Sequence, residues 1–149
     1  ARSLALDASS TVFCVAAVLK PARDGLFAVT NSVPLFEELL RRDAGFHVAL
    51  TGGEPQARTG SLVGPLAIRS LEGMRFDWAV VSAAGVMMEE GEVYEATPED
   101  AAVKRAMLSR ANKTILAVDR TKINFLAGYP LGKLSDYDIL VTEDGPRDL

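Results

Sequence analysis

The densest group of chemically useful side chains lies near the start of the chain. Asp7-Ala8-Ser9-Ser10-Thr11 separates the run Ser3-Leu4-Ala5-Leu6 from the almost wholly apolar run Val12 to Leu19. Read as a buried strand, a hydroxyl-rich loop and a buried helix, this order places Ser9, Ser10 and Thr11 at a helix N-terminus. The first amides of a helix lack intrahelical partners, and the aligned peptide dipoles leave about half a positive charge there. Such an end binds phosphate and other anions. A plain N-cap, in which Ser10 or Thr11 satisfies one amide and nothing binds, is the alternative for the same residues.

The elements that must position this loop repeat along the chain. Leu26 to Val29 reads as a second strand ending in Thr30-Asn31-Ser32, and His47 to Leu50 as a third ending in Thr51-Gly52-Gly53-Glu54-Pro55. Trp78 to Val81 runs into Ser82-Ala83-Ala84-Gly85-Val86, where small residues let a ligand approach the backbone. Thr114 to Val118 ends in Asp119-Arg120-Thr121-Lys122, and Asp138 to Thr142 reads as the last strand. Helices fall between: Val33 to Arg42 with Val33, Phe36, Leu39 and Leu40 at helical spacing, then Gly64 to Leu71. A further helix opens at Thr97-Pro98-Glu99-Asp100 and runs to Arg110 or Ala111. Its start combines a cap residue, proline at the first helical position and acids in the first turn. Residues 86–97, with Met87, Met88, Glu89, Glu90 and Glu92, read as a protruding hairpin whose acids face solvent rather than a metal. The alternation specifies an α/β domain with a mostly parallel sheet, so polar and glycine-rich corners gather along one edge.

Composition sets the outer limits. The 149 residues, 48% of them hydrophobic, suit one domain with a sizeable core. A net charge of −4 argues against a surface that grips nucleic acid, so the partner of this piece is expected to be small. The single cysteine, Cys14, excludes an internal disulfide and reads as an inert thiol buried in the first helix. His47 stands at a strand start, away from the corners. No apolar run reaches the roughly 18 residues of a membrane span, and neither metal nor cofactor is expected. The chain begins at Ala1, without an initiator methionine, directly in core-like structure; the expectation is a fragment whose missing amino-terminal part carries another function.

Taken together, Asp7…Ser10-Thr11, Thr30-Asn31-Ser32, Gly52-Gly53, Gly64-Pro65, Ala83-Ala84-Gly85, Lys104-Arg105-Ala106-Met107, Asp119-x-x-Lys122 and Thr142-x-Asp144 have a specific order. That order resembles the carboxyl-terminal sensor domain of DeoR-type bacterial transcription regulators, over essentially the whole chain. The resemblance implies a three-layer, Rossmann-like sheet with helices on both faces, similar to ribose-5-phosphate isomerase and glucosamine-6-phosphate deaminase. It implies a cytoplasmic homo-oligomer whose ligand is a phosphorylated sugar or related anionic metabolite. DNA contact would come only through an amino-terminal helix-turn-helix that this chain lacks.

By the same resemblance, Ser9, Ser10, Thr11, Thr30, Asn31, Ser32, Gly52, Gly53 and Gly85 hold the ligand, and Lys104 and Lys122 balance its charge. Asp7 and Asp119 bond to its hydroxyls or orient the lysines. Three positions depart from the family pattern: Ser9 replaces a glycine, Ala84 an acid, and Asp100 a glutamate four residues before Lys104. An aldose-ketose isomerase needs a carboxylate base and a group that stabilises the enediolate. Loss of acid at Ala84 removes one candidate base, so binding without turnover is expected. A sugar-phosphate isomerase or deaminase built on Asp7, Asp100, Lys104, Asp119 and Lys122 is the alternative, and a ligand-free oligomerisation module a third reading. Thr11→Ala and Lys104→Ala are each expected to weaken ligand binding without unfolding the domain.

Overall fold

Apolar residues divide between two faces of the first strand because successive side chains of a strand point to opposite sides. In the computed structural model, which describes residues 2–20, 25–42 and 46–149, this strand is β1 (Ser3–Leu6). The chain continues through α1 (Ser10–Ala17), β2 (Leu26–Thr30), α2 (Val33–Arg41), β3 (Phe46–Leu50), the short strands β4 (Glu54–Pro55) and β5 (Leu62–Val63), and α3 (Pro65–Leu71). It then forms β6 (Phe76–Val81), β7 (Gly85–Met87), β8 (Glu92–Glu95), α4 (Pro98–Ser109) and β9 (Ala111–Ala117). The last strands are β10 (Tyr129–Lys133), β11 (Ile139–Thr142) and β12 (Gly145–Asp148).

Leu4 and Leu6 pack with Val12 and Ala16 of α1 and with Leu35 and Leu39 of α2. Ala5, between them, packs on the other face with Ala67 and Leu71 of α3 and Val103 and Met107 of α4. The result is three layers in a Rossmann-like α/β fold. The central seven-stranded sheet has the order β12-β11-β9-β6-β1-β2-β3. All its pairs are parallel except the hairpin of β11 with β12. Strands β10, β8 and β7 form a separate antiparallel sheet, and β4 and β5 a small hairpin.

Several expectations change. Asp138 to Thr142 is not the last strand, because β12 folds back on it in register Ile139 to Asp148. The first helix starts at Ser10 and is only partly buried: Val12 and Ala16 face the core, while Cys14, Ala17 and Val18 are exposed. Cys14 is therefore a surface thiol. Pro21, expected to stop this helix, lies outside the described residues. The hairpin expected over 86–97 is present as β7 and β8, and it is anchored by β10 instead of projecting alone.

Candidate functional site

In an open α/β sheet, ligands bind beyond the carboxyl ends of strands at the point where the strand order reverses. Here the chain leaves β1 for β2 and β3 on one side and returns to β6, β9 and β11 on the other. A cavity of about 610 Å³ opens at that point, lined first by Ala8, Ser9, Ser10, Thr11 and Phe13 from the start of α1. Ser9 is the N-cap: its hydroxyl oxygen accepts from the Val12 amide at 3.0 Å. The Ser9 amide and hydroxyl donate to Asp7 Oδ1 at 2.9 and 2.7 Å. Capping thus falls to Ser9, not to Ser10 or Thr11. Among the described residues, the amides and hydroxyls of Ser10 and Thr11 have no partner. Ser9 also holds an ordinary backbone, φ −75°, so replacing glycine there introduces no strain.

The second wall comes from the end of β2 and from the β4–β5 hairpin. Asn31 and Ser32 line it, with Ser32 Oγ accepting from the Leu35 amide at 3.1 Å as the cap of α2. Asn31 is 3% exposed; its Nδ2 donates to the Leu62 carbonyl at 3.0 Å, and its Oδ1 accepts nothing. A buried acceptor without a donor costs roughly 1–3 kcal/mol, so a ligand hydroxyl there would relieve that cost. Arg58, Thr59 and Ser61 extend this wall from the hairpin.

Opposite stand Ser82, Ala83 and Ala84 after β6, with Glu95, Asp100, Lys104 and Lys122. Lys104 Nζ lies 3.1 Å from Asp7 Oδ2 and 2.5 Å from Glu95 Oε2, and donates to the Ser82 carbonyl at 2.9 Å. Asp7 Oδ2 also accepts from the Ser82 amide at 2.7 Å. Burial alone would lower the pKa of Lys104, but the charges of Asp7 and Glu95 and their hydrogen bonds outweigh it, and the pKa is raised. The ammonium stays charged and is neutralised by its own neighbours. Asp100 accepts from Thr97 Oγ1 at 2.7 Å. Lys122 reaches the cavity from a 3₁₀ turn over 120–122, and its side chain makes no hydrogen bond or ion pair among the described residues.

Of the residues singled out in the sequence, Ser9, Ser10, Thr11, Asn31, Ser32, Lys104 and Lys122 come together in this lining. Asp7 lies beneath it, 1% exposed, orienting Lys104 and Ser9. Thr30, Gly52, Gly53, Gly85 and Asp119 are not brought into the lining, each for a physical reason. Thr30 Oγ1 is buried and accepts from the Ser32 amide at 3.0 Å. The Gly52 amide donates to Ser70 Oγ at 2.9 Å. Gly53 has φ +126°, and a Cβ there would lie 2.7 Å from the Val63 carbonyl oxygen. A Cβ on Gly85 would overlap the Phe125 carbonyl oxygen, so its bareness admits the protein's own backbone and not a ligand. Asp119 caps the 3₁₀ turn; the Thr121 hydroxyl and amide hold its carboxyl below the usual pKa.

Arg58, Thr59, Ser61 and Glu95 were missed by sequence reasoning. Glu95 carried a signal: it follows Val93 by two residues, and in the pleat of β8 both turn inward. Arg58 carried none, because its hairpin is built from strands of two residues each.

A family profile described as the DeoR C terminal sensor domain matches residues 1–144. The chain is similar to the transcriptional repressor AccR of Agrobacterium fabrum (strain C58), 28% identical over 97% of this chain and 55% of that protein. It is also similar to a glycerol-3-phosphate regulon repressor of Haemophilus influenzae, 27% identical over 99% of this chain and 56% of the relative. The chain thus spans a little over half the length of these regulators. A solved structure of a RipA point mutant superposes with a TM-score of 0.58 over 99% of this chain and 42% of that one. At 15% identity, that likeness concerns the fold alone. With the family profile covering nearly its whole length, the chain belongs to the family of DeoR C terminal sensor domains.

Proposed function

We propose that this domain senses a phosphorylated sugar or a related anionic polyol, and that binding alters the DNA affinity of a separate domain in a longer, cytoplasmic, homo-oligomeric regulator. The observation that carries the reading is the set of unpartnered amides and hydroxyls of Ser10 and Thr11 at the mouth of α1, inside the cavity. They offer donors and positive potential to a phosphate, while Glu95, Asp100 and the orphan Oδ1 of Asn31 suit ligand hydroxyls. Similarity to a glycerol-3-phosphate regulon repressor supports a phosphorylated polyol as the ligand class. Binding without turnover is supported by how the carboxylates are held: Glu95 is engaged by Lys104, Asp7 by Lys104 and Ser82, and Asp100 by Thr97.

Regulation requires the ligand to prefer one arrangement of the protein, since equal affinity for two states shifts neither. The β7–β8 hairpin is the element suited to report occupancy, because Glu95 ties it to the Lys104 network beside the cavity. The test is titration calorimetry with a panel of phosphorylated sugars and polyol phosphates. At least one is expected to bind with an affinity on the order of micromolar, weakened about tenfold in Thr11→Ala by loss of one charged hydrogen bond. No heat with any member, or an unchanged affinity in the variant, overturns the reading.

A further inference from the structure

We infer that Arg58, at the tip of the β4–β5 hairpin, supplies the positive charge that engages the ligand's anionic group. The inference rests on the reading of the cavity as a site for an anionic polyol. A phosphate in the cavity needs a cation, and Lys104 is a poor one, already paired with both Asp7 and Glu95. That cluster of three carries a net charge of −1, and on the same side the negative charge of Asp100 offsets the positive charge of Lys122, so the side as a whole stays at −1. An anion is therefore favoured away from that cluster, between the free amides at the start of α1 and the wall where Arg58 lines the cavity with Asn31, Thr59 and Ser61.

Arg58 is exposed and makes no hydrogen bond or ion pair among the described residues, so its guanidinium is free to bind. Its place beside the cavity is built, not incidental. The Leu62 amide donates to the Asn31 carbonyl at 2.7 Å, and the Val33 amide to the Gly60 carbonyl at 3.1 Å, fastening both sides of the tip to the β2–α2 corner. Within the tip, the Gln56 amide donates to the Ser61 carbonyl at 2.8 Å and the Gly60 amide to the Gln56 carbonyl at 2.9 Å. A second, independent feature marks this wall as a ligand wall: the buried Oδ1 of Asn31 has no donor. Guanidinium donors form a fork that matches phosphate oxygens two at a time, which an ammonium does not.

The test is a titration of the chain with inorganic phosphate, followed through the Ser10 and Thr11 amide resonances. Arg58→Gln is expected to weaken phosphate binding about tenfold. Its melting temperature should stay that of the wild type, because the side chain is exposed and unbonded. If the same two resonances shift with equal affinity in the variant, the role of Arg58 is overturned and the anion site stands. If they do not shift in the wild type at saturating phosphate, the anion site itself is overturned, and Arg58 with it.

Discussion

Lys104 is where ligand chemistry and stability meet. Its ammonium separates two buried carboxylates, Asp7 at 1% and Glu95 at 6% exposure. Removing one member of a buried ion cluster strands the others, at a cost of about 3–5 kcal/mol. Lys104→Met should therefore lower the melting temperature by roughly 10 °C, in place of the expectation that Lys104→Ala merely weakens binding. The pH dependence has a defined sign. The folded pKa is raised above the unfolded value, so the contribution is complete below the unfolded pKa of about 10.4 and is lost as pH rises through the folded one. Thermal melts should show a wide gap between wild type and Lys104→Met near neutral pH. As pH rises from neutral, the gap should narrow only above about pH 10.4; a gap that closes between neutral pH and about 9 would contradict the assignment.

At the scale of elements, the β7–β8 hairpin and the loop that carries Lys122 behave as one body. The Asn124 amide donates to the Val86 carbonyl at 2.6 Å, and Asn124 Oδ1 accepts from the Met88 amide at 3.2 Å. Asn124 takes φ +57°, a conformation asparagine tolerates better than most residues. Gly85 lets Phe125 close the contact. Gly85→Ala should cost about 1–3 kcal/mol, read in a denaturant melt, because backbone must move to admit the methyl group. The same variant should weaken sugar-phosphate binding in calorimetry by displacing Lys122; full affinity with full stability would show that the contact yields freely.

Elements of this kind also mark the limit of what residues alone revealed. The six parallel strands and four helices were legible because burial on both faces demands continuous apolar runs, and because Ser32 and Thr97 announce helix starts. Strands β4, β5, β10 and β12 were not. They are short or proline-bearing, with Pro55, Pro130 and Pro146 inside them, and only distant partners make them strands. The site divided in the same way. Ser10, Thr11, Asn31 and Ser32 were readable from local chemistry, whereas Arg58 and Glu95 depend on where a hairpin folds back.

At the scale of the whole molecule, the site is a consequence of topology. Placing β1 between β2 and β6 puts the start of α1 at the reversal of strand order, and the four helices then cover both faces of the sheet. The cavity has polarity across it, with Arg58 on the β2 side, the Lys104 cluster with Asp100 and Lys122 on the β6 side, and the free amides of α1 between them. That polarity would orient a ligand of the class proposed above, with one anionic end and a hydroxyl-bearing body. The most direct measurement is a crystal structure of the chain with a phosphorylated sugar that binds in calorimetry. The account predicts the phosphate within about 3 Å of the Ser10 and Thr11 amides, with the sugar hydroxyls toward Glu95 and Asp100. A phosphate seated on Lys104, or bound anywhere outside this cavity, would contradict it.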